Sequence, residues 1–262
     1  MGIVNITPDS FSDGGATWTV DAAVAHAQRL LDDGADVLDL GGESTRPGAT
    51  PVPIDEELAR VLPVVEALVA RGIRNLSIDT RNARTAAACL DAGASWVNDV
   101  SALSWDPDMS AVAARAEALV LMHARGTPET MQHGAIHYDD VVGAVRGFLE
   151  ERVAVAVGAG IERMRLLVDP GIGFGKRLPH NLELTRGLGA LHGIGAGVLY
   201  GPSRKRFLGE LTGVDVASER DAATLGAACF AATRGADVVR LHEVKAAVQA
   251  LRVVDALLER PG

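Results

Sequence analysis

Two sets of side chains in this sequence have the types and spacing for chemistry on a small polar ligand. Asp79, Asn98 and Asp169 form the first set, each at the end of a short apolar run: LSID (76–79), WVND (96–99) and LLVD (166–169). A carboxylate accepts two parallel N–H bonds, so the acids suit a flat ligand with an amidine-like donor edge. Asn98 both donates and accepts, and so reads a mixed edge. The second set is cationic: Arg46, Lys205, Arg240 and His242. In a chain of net charge −9 these are candidates for holding an anion. The stretch LLVDPGIGFGK (166–176) adds glycines at 171, 173 and 175 around Phe174. Such glycines let the backbone approach a ligand closely or take positive φ. The stretch is not a Walker loop, because Pro170 stands where that motif needs Gly and Arg177 where it needs Ser or Thr.

The elements that carry these residues repeat one unit. Short apolar strands are expected at 2–6, 37–40, 76–79, 96–99, 118–122, 166–168, 198–200 and 238–241. Helical periodicity follows at 21–34, 55–72, 84–93, 108–116, 141–157, 180–191, 221–235 and 244–258. Pro63 is expected to kink the second helix or break it in two. Eight strands in alternation with about eight helices match the size of a (β/α)₈ TIM barrel formed as a single domain over 1–262. A doubly wound open sheet is the alternative, but the first turn, TPDSF, is not a phosphate fingerprint. Polar residues recur at the strand ends: Asn5, Asp39 or Glu43, Asp79, Asn98, His123, Asp169, Lys205 beyond strand seven, and Arg240 with His242. In a barrel all these ends open on one face, around one cavity. Any single one of them more often caps a loop; the joint pattern points to a site. The long loop at 41–53 holds Thr45 and Arg46, and loops of that length are usually functional.

Composition narrows the function classes. With 262 residues and 48% hydrophobic residues the chain can bury a large core. Its acidity argues against a general nucleic-acid or membrane-surface binder. No apolar run reaches roughly 18 residues, so no membrane span is expected. Cys89 and Cys229 are read as reduced residues, and with no visible signal peptide a cytoplasmic location is expected. His133 and His137 are spaced HxxxH but lack a helical signal and a third ligand for zinc. Ser203 lies in GPSRK, which is not a nucleophile elbow. Trp18, Trp96 and Trp105 are scattered and are read as packing.

The motifs GIVNITPDSFSDGG, GGESTRPGA, SIDT, VNDVS, LMHARGTPETMQ, LVDPGIGFGK, GPSRKRFLG and RLHEV run nearly end to end. In order and spacing they closely resemble the dihydropteroate synthase family. The resemblance implies a transferase of folate synthesis that joins 6-hydroxymethyl-7,8-dihydropterin pyrophosphate to p-aminobenzoate, giving 7,8-dihydropteroate and pyrophosphate. It implies a pterin pocket of Asp79, Asn98, Met122, Asp169, Phe174 and Lys205. The p-aminobenzoate pocket would be Phe11, Thr45, Arg46, Pro47, Phe174, Ser203 and Lys205. Asn5 would ligate Mg²⁺ with the pyrophosphate, which Arg46, Arg240 and His242 would also hold. Lys205, Asp79 and Arg46 would be the catalytic residues. A homodimer through helices near the C-terminus is implied, and the loop motifs look like the sulfonamide-sensitive pattern.

The chain departs from that pattern at a few positions. Tyr200 stands where Val or Ile is usual, Glu243 where Asp is common, Ala102 where Gly is common, and Ala124 where a larger residue is common. None removes a named functional group. A methyltetrahydrofolate–corrinoid methyltransferase would keep the pterin acids but has no need of TPDSF, STRPG or SRK. A non-catalytic paralogue would be expected to lose Asn5, Arg240 or His242, and all three are intact. An unrelated barrel for a phosphorylated sugar would not explain the stacked acids.

Overall fold

The computed structural model describes residues 1–7, 19–44, 49–126, 130–131, 134 and 136–259. Eight strands alternate with helices: β1 Gly2–Asn5, β2 Leu38–Gly41, β3 Leu76–Asp79, β4 Trp96–Asp99, β5 Ala118–Met122, β6 Leu166–Asp169, β7 Gly197–Tyr200 and β8 Val238–Val239. All pair in parallel, in chain order from β1 to β8. The ring closes where Ile3 N donates to Leu241 O at 2.9 Å and Leu241 N to Met1 O at 3.0 Å. The chain is therefore a (β/α)₈ TIM barrel, as its alternation predicts.

Side-chain alternation divides the barrel into three regions. Leu38, Leu40, Ile78, Val97, Leu119, Leu121 and Val168 point outward and are buried against the helices. Inward positions at the strand starts are apolar except Ser77: Ala118, Val120, Leu167 and Leu199 pack with Met1, Val37, Trp96 and Val238 into a separate plug. Inward positions at the strand ends are polar. The register sets Gly41 beside Asp79, Asp79 beside Asn98, and Met122 beside Asp169. A period of two puts alternate residues on one face, so the apolar plug and the polar mouth follow from the same pleat.

The helices are α1 Val20–Asp32, α2 Ile54–Ala70, α3 Ala83–Asp91, α4 Met109–Ala113, α5 Val141–Gly158, α6 Leu178–Arg186, α7 Arg206–Thr212, α8 Asp221–Thr233 and α9 Lys245–Leu257. Thr19 caps α1 by accepting from Ala22 N at 3.1 Å. The helix then buries Ala23, Val24, Ala27 and Leu30, one stripe at helical spacing. The expected break at Pro63 does not occur; α2 runs unbroken through it while burying Val61, Val64, Val65 and Leu68. A stripe of four buried residues outweighs the one lost backbone bond. The helix expected at 180–191 ends at Arg186, and Leu188–Leu191 tightens into a 3₁₀ turn. Helix α7, inside the GPSRKRFLG motif, was not expected. Its seven residues give too short a periodic signal, and it stands on burial of Phe207 and Leu208. Strand eight is shorter than expected, but Arg240 N still reaches Tyr200 O at 3.0 Å and continues the ladder. Ala102, which stands where Gly is common, takes φ 51°, which explains the common glycine. No helix among the described residues is long and apolar enough to cross a membrane.

Candidate active site

The floor of the barrel mouth is a buried charge cluster. Arg240, extending from the end of β8, donates through Nε to Asp39 Oδ2 and through Nη2 to Asp79 Oδ2, the latter at 2.7 Å. Asn98 Nδ2 donates to the same Asp39 oxygen at 3.0 Å. This leaves Asp39 Oδ1 and Asp79 Oδ1 buried with no hydrogen-bond partner among the described residues. Burial pushes the Asp79 carboxyl up to about 7; Arg240 opposes the rise, and Asp39, Glu57 and Glu43 add to it. Asp79 therefore holds a proton or waits for a donor. A buried unsatisfied acceptor at a cavity floor is a group built to meet a ligand. The Arg240 guanidinium is raised by the two carboxylates against the effect of burial.

The wall comes from the loop after β6. Asp169 Oδ1 accepts from Gly171 N at 2.7 Å, and burial raises its carboxyl while Lys205 opposes. Gly171 has φ +64°, and a Cβ there would lie 1.9 Å from His123 O, so only glycine fits. Lys205 crosses from the turn after β7 and donates through Nζ to Ile172 O. Its ammonium lies 4.7 Å from the Phe174 ring centroid. Burial lowers Lys205 to about 8, with Asp169 opposing. Acid, lysine and aromatic ring thus face one another across the mouth.

A third group joins the two ends of the ring. Asn5 Nδ2 lies 3.2 Å from His242 Nε2, and His242 Nδ1 lies 2.8 Å from Ser203 Oγ. With the amide donating, Nε2 is the acceptor and Nδ1–H donates to Ser203. His242 N also donates to Ser203 Oγ at 3.1 Å. Ser203 is thus occupied in holding His242, consistent with its lack of a nucleophile elbow.

Of the residues singled out from sequence, the structure gathers Asn5, Asp79, Asn98, Met122, Asp169, Phe174, Ser203, Lys205, Arg240 and His242 around one mouth. Phe11, Thr45, Arg46 and Pro47 lie outside the described residues, as do Trp18 and His133. His137 is exposed and pairs with Asp139 at 2.8 Å. His123 is tied through one ring nitrogen: its Nδ1 meets Lys176 Nζ at 2.9 Å, and burial first, then Lys176, pushes it down to about 3. Trp105 is not plain packing; half exposed, it carries the Arg81 guanidinium 4.0 Å over its ring. Arg81 in turn binds Glu43 at 3.1 Å, and Glu43 accepts Val52 N at 3.2 Å, so the loop after β2 is pinned at both ends. Sequence reading left Asp39 as one of two options and gave Lys176 no part. Asp39 was legible as an inward position of β2, two residues before Gly41.

A closed parallel barrel with paired acids, lysine and arginine at the strand C-termini defines an enzyme of the TIM-barrel class. The description "Pterin binding enzyme" matches residues 1–242, and the chain belongs to that family. It is 44% identical over 258 residues to the dihydropteroate synthase of Escherichia coli K12, covering 98% of this chain and 91% of that protein. The Xanthomonas albilineans dihydropteroate synthase with 4-aminobenzoic acid superposes with a TM-score of 0.92 at 50% identity, covering 100% of this chain and 93% of that one. The Yersinia pestis dihydropteroate synthase with a sulfonamide drug gives a TM-score of 0.93 at 43% identity, with 99% and 94% covered. Within the family the chain is an enzyme of the dihydropteroate synthase kind.

Proposed function

We propose that this chain condenses 6-hydroxymethyl-7,8-dihydropterin pyrophosphate with p-aminobenzoate, releasing pyrophosphate and forming 7,8-dihydropteroate. The observation that carries the reading is the buried, unpartnered Asp79 Oδ1 beside Asn98. A pterin presents adjacent N–H donors on a flat ring, the edge such a carboxylate satisfies. In this reading Asp79, Asn98 and Asp169 orient the ring, Met122 and Phe174 line its faces, and Lys205 donates to it. Arg46, Arg240 and His242 hold the pyrophosphate. Phe11, Thr45, Arg46, Pro47, Phe174, Ser203 and Lys205 form the p-aminobenzoate pocket.

Asn5 would hold Mg²⁺ with the pyrophosphate. The amide orientation that donates to His242 leaves its oxygen, a hard ligand of the kind Mg²⁺ takes, and such sites use few protein ligands beside phosphate and water. When bound, the ion neutralises charge on the departing group. The cationic side chains do the same from the protein side. Loss of pyrophosphate leaves a cation at the exocyclic methylene of the pterin, which Asp79 and Asp169 favour. The aniline nitrogen attacks it without needing a strong base.

The functional unit is one domain, 1–262, acting as a cytoplasmic homodimer. Phe230 on α8 and Val253 and Leu257 on α9 are exposed apolar residues near the C-terminus that support a covered face there. Cys89 and Cys229 are unpaired thiols, in keeping with a reducing compartment. Sulfonamides are expected to compete with p-aminobenzoate. The test is pyrophosphate release with Mg²⁺, with and without p-aminobenzoate. Amine-dependent release that collapses in Lys205→Ala and Asp79→Ala is expected; pterin binding without such release would sink the synthase reading.

A further inference from the structure

We propose that Lys176 is a positioning residue: its buried ammonium clamps the Gly171–Gly175 turn so that Ile172 O and Phe174 hold Lys205 in place. The inference rests on the synthase reading for its substrate. Lys176 is buried at the end of the glycine turn, against His123. Its Nζ lies 2.9 Å from Gly171 O, 3.1 Å from Phe174 O, 3.3 Å from His123 O and 2.9 Å from His123 Nδ1. Three of these neighbours are carbonyl oxygens, which only accept, and His123 Nδ1 accepts when the ring proton sits on Nε2. The three N–H donors of an ammonium match the three carbonyls, and burial that lowers Lys176 to about 7 is opposed by Asp169.

The clamp spans the whole turn. Phe174 N already donates to Gly171 O at 3.0 Å, so Lys176 binds both ends of one turn and ties them to the end of β5. From the opposite side Asn181 Oδ1 accepts from Gly173 N at 2.8 Å. Asn181 is itself braced: its carbonyl accepts from Thr185 Oγ1 at 2.7 Å, and Thr185 meets Tyr200 OH at 2.9 Å. Ile172 therefore sits between two fixed residues, and its carbonyl is the one that accepts from Lys205 Nζ. The Phe174 ring, held through its own carbonyl, supplies the face under the Lys205 ammonium. Of the turn's side chains Ile172 is buried in the core, and with glycine at 171, 173 and 175 the rest of its shape comes from buried donors and acceptors outside it. Tyr200, one of the residues that depart from the family pattern, is part of that support.

The test compares wild type, Lys176→Met and Asn181→Ala by steady-state pyrophosphate release. Lys176→Met keeps the length of the stem and removes the charge. Expected in both variants is a rise of about tenfold in KM for p-aminobenzoate with kcat within about threefold, the split of a displaced binding group rather than of less folded enzyme. Wild-type KM in both variants would overturn the clamp. Loss of folded protein in both, seen by circular dichroism, would also overturn it, because Lys176 would then serve folding alone. If Lys176→Met alone fails to fold, Asn181→Ala decides by the same KM criterion. Absence of amine-dependent release in wild type would instead refute the synthase reading.

Discussion

Replacing Asp79 with Asn tests whether burial or Arg240 governs the floor of the site. The two carboxylates share one guanidinium, and Asp79 keeps an oxygen with no partner. Burial wins, so the folded protein holds the Asp79 proton up to about 7, against 3.8 for a free side chain. Below 3.8 the folded and unfolded chains both carry the proton and Asp79 makes no difference to the pH dependence. Between 3.8 and about 7 only the unfolded chain releases it, so stability falls as pH rises; above about 7 the loss is complete. The gap between 3.8 and about 7, at about 1.4 kcal/mol per tenfold change in proton affinity, amounts to roughly 4 kcal/mol. Urea unfolding of wild type and Asp79→Asn across that window measures it. Wild type should lose roughly 4 kcal/mol relative to Asp79→Asn, since titrations of groups remote from Asp79 are shared and cancel in the difference. Lys176 and Lys205 titrate at about 7 and about 8, largely beyond the window. Parallel stability curves would refute the reasoning: Asp79 would then be ionised in the fold, with Arg240 outweighing burial.

Two further perturbations follow from the same geometry. Arg240→Met leaves Asp39 and Asp79 facing each other with only Asn98 as donor, and should lower stability by about 3–5 kcal/mol, read as a fall in thermal midpoint at pH 7.5. At low pH, where the acids are neutral, the loss should shrink; an unchanged midpoint at pH 7.5 would show that the ion pairs contribute nothing. Gly171→Ala places a Cβ 1.9 Å from His123 O at φ +64°. It should destabilise by about 3 kcal/mol and raise the KM for p-aminobenzoate. A variant with wild-type melting and kinetics would mean the turn has other low-energy shapes.

Much of the molecule was legible before any coordinates. Strand-and-helix alternation gave the barrel because short apolar strands separated by helices have few other ways to bury both faces. Asp79, Asn98 and Asp169 were legible because each ends an apolar run, and a barrel sends such ends to one rim. The glycine alternation at 171–175 marked a turn that a Cβ would obstruct, as at Gly171. Of the kink or break expected at Pro63 the break is absent, because a buried stripe holds the helix together, and α7 was missed because seven residues hold barely two turns.

Tertiary structure alone decided which of these groups touch. Arg240, in the sequence an anion-holding candidate, is bonded to Asp39 and Asp79, 201 and 161 residues away. Asn5 and His242 meet because the ring closes between β1 and the end of β8, a contact of residues 237 apart that no local pattern encodes. Lys176 looked like the tail of a glycine motif until the fold showed it buried among three carbonyls and the His123 ring. The sequence determined the period, and the period determined which residues face inward. Hydrogen bonds and ion pairs have a reach of a few ångströms, so partner, charge state and pKa were fixed only when closure of the barrel brought distant strand ends together.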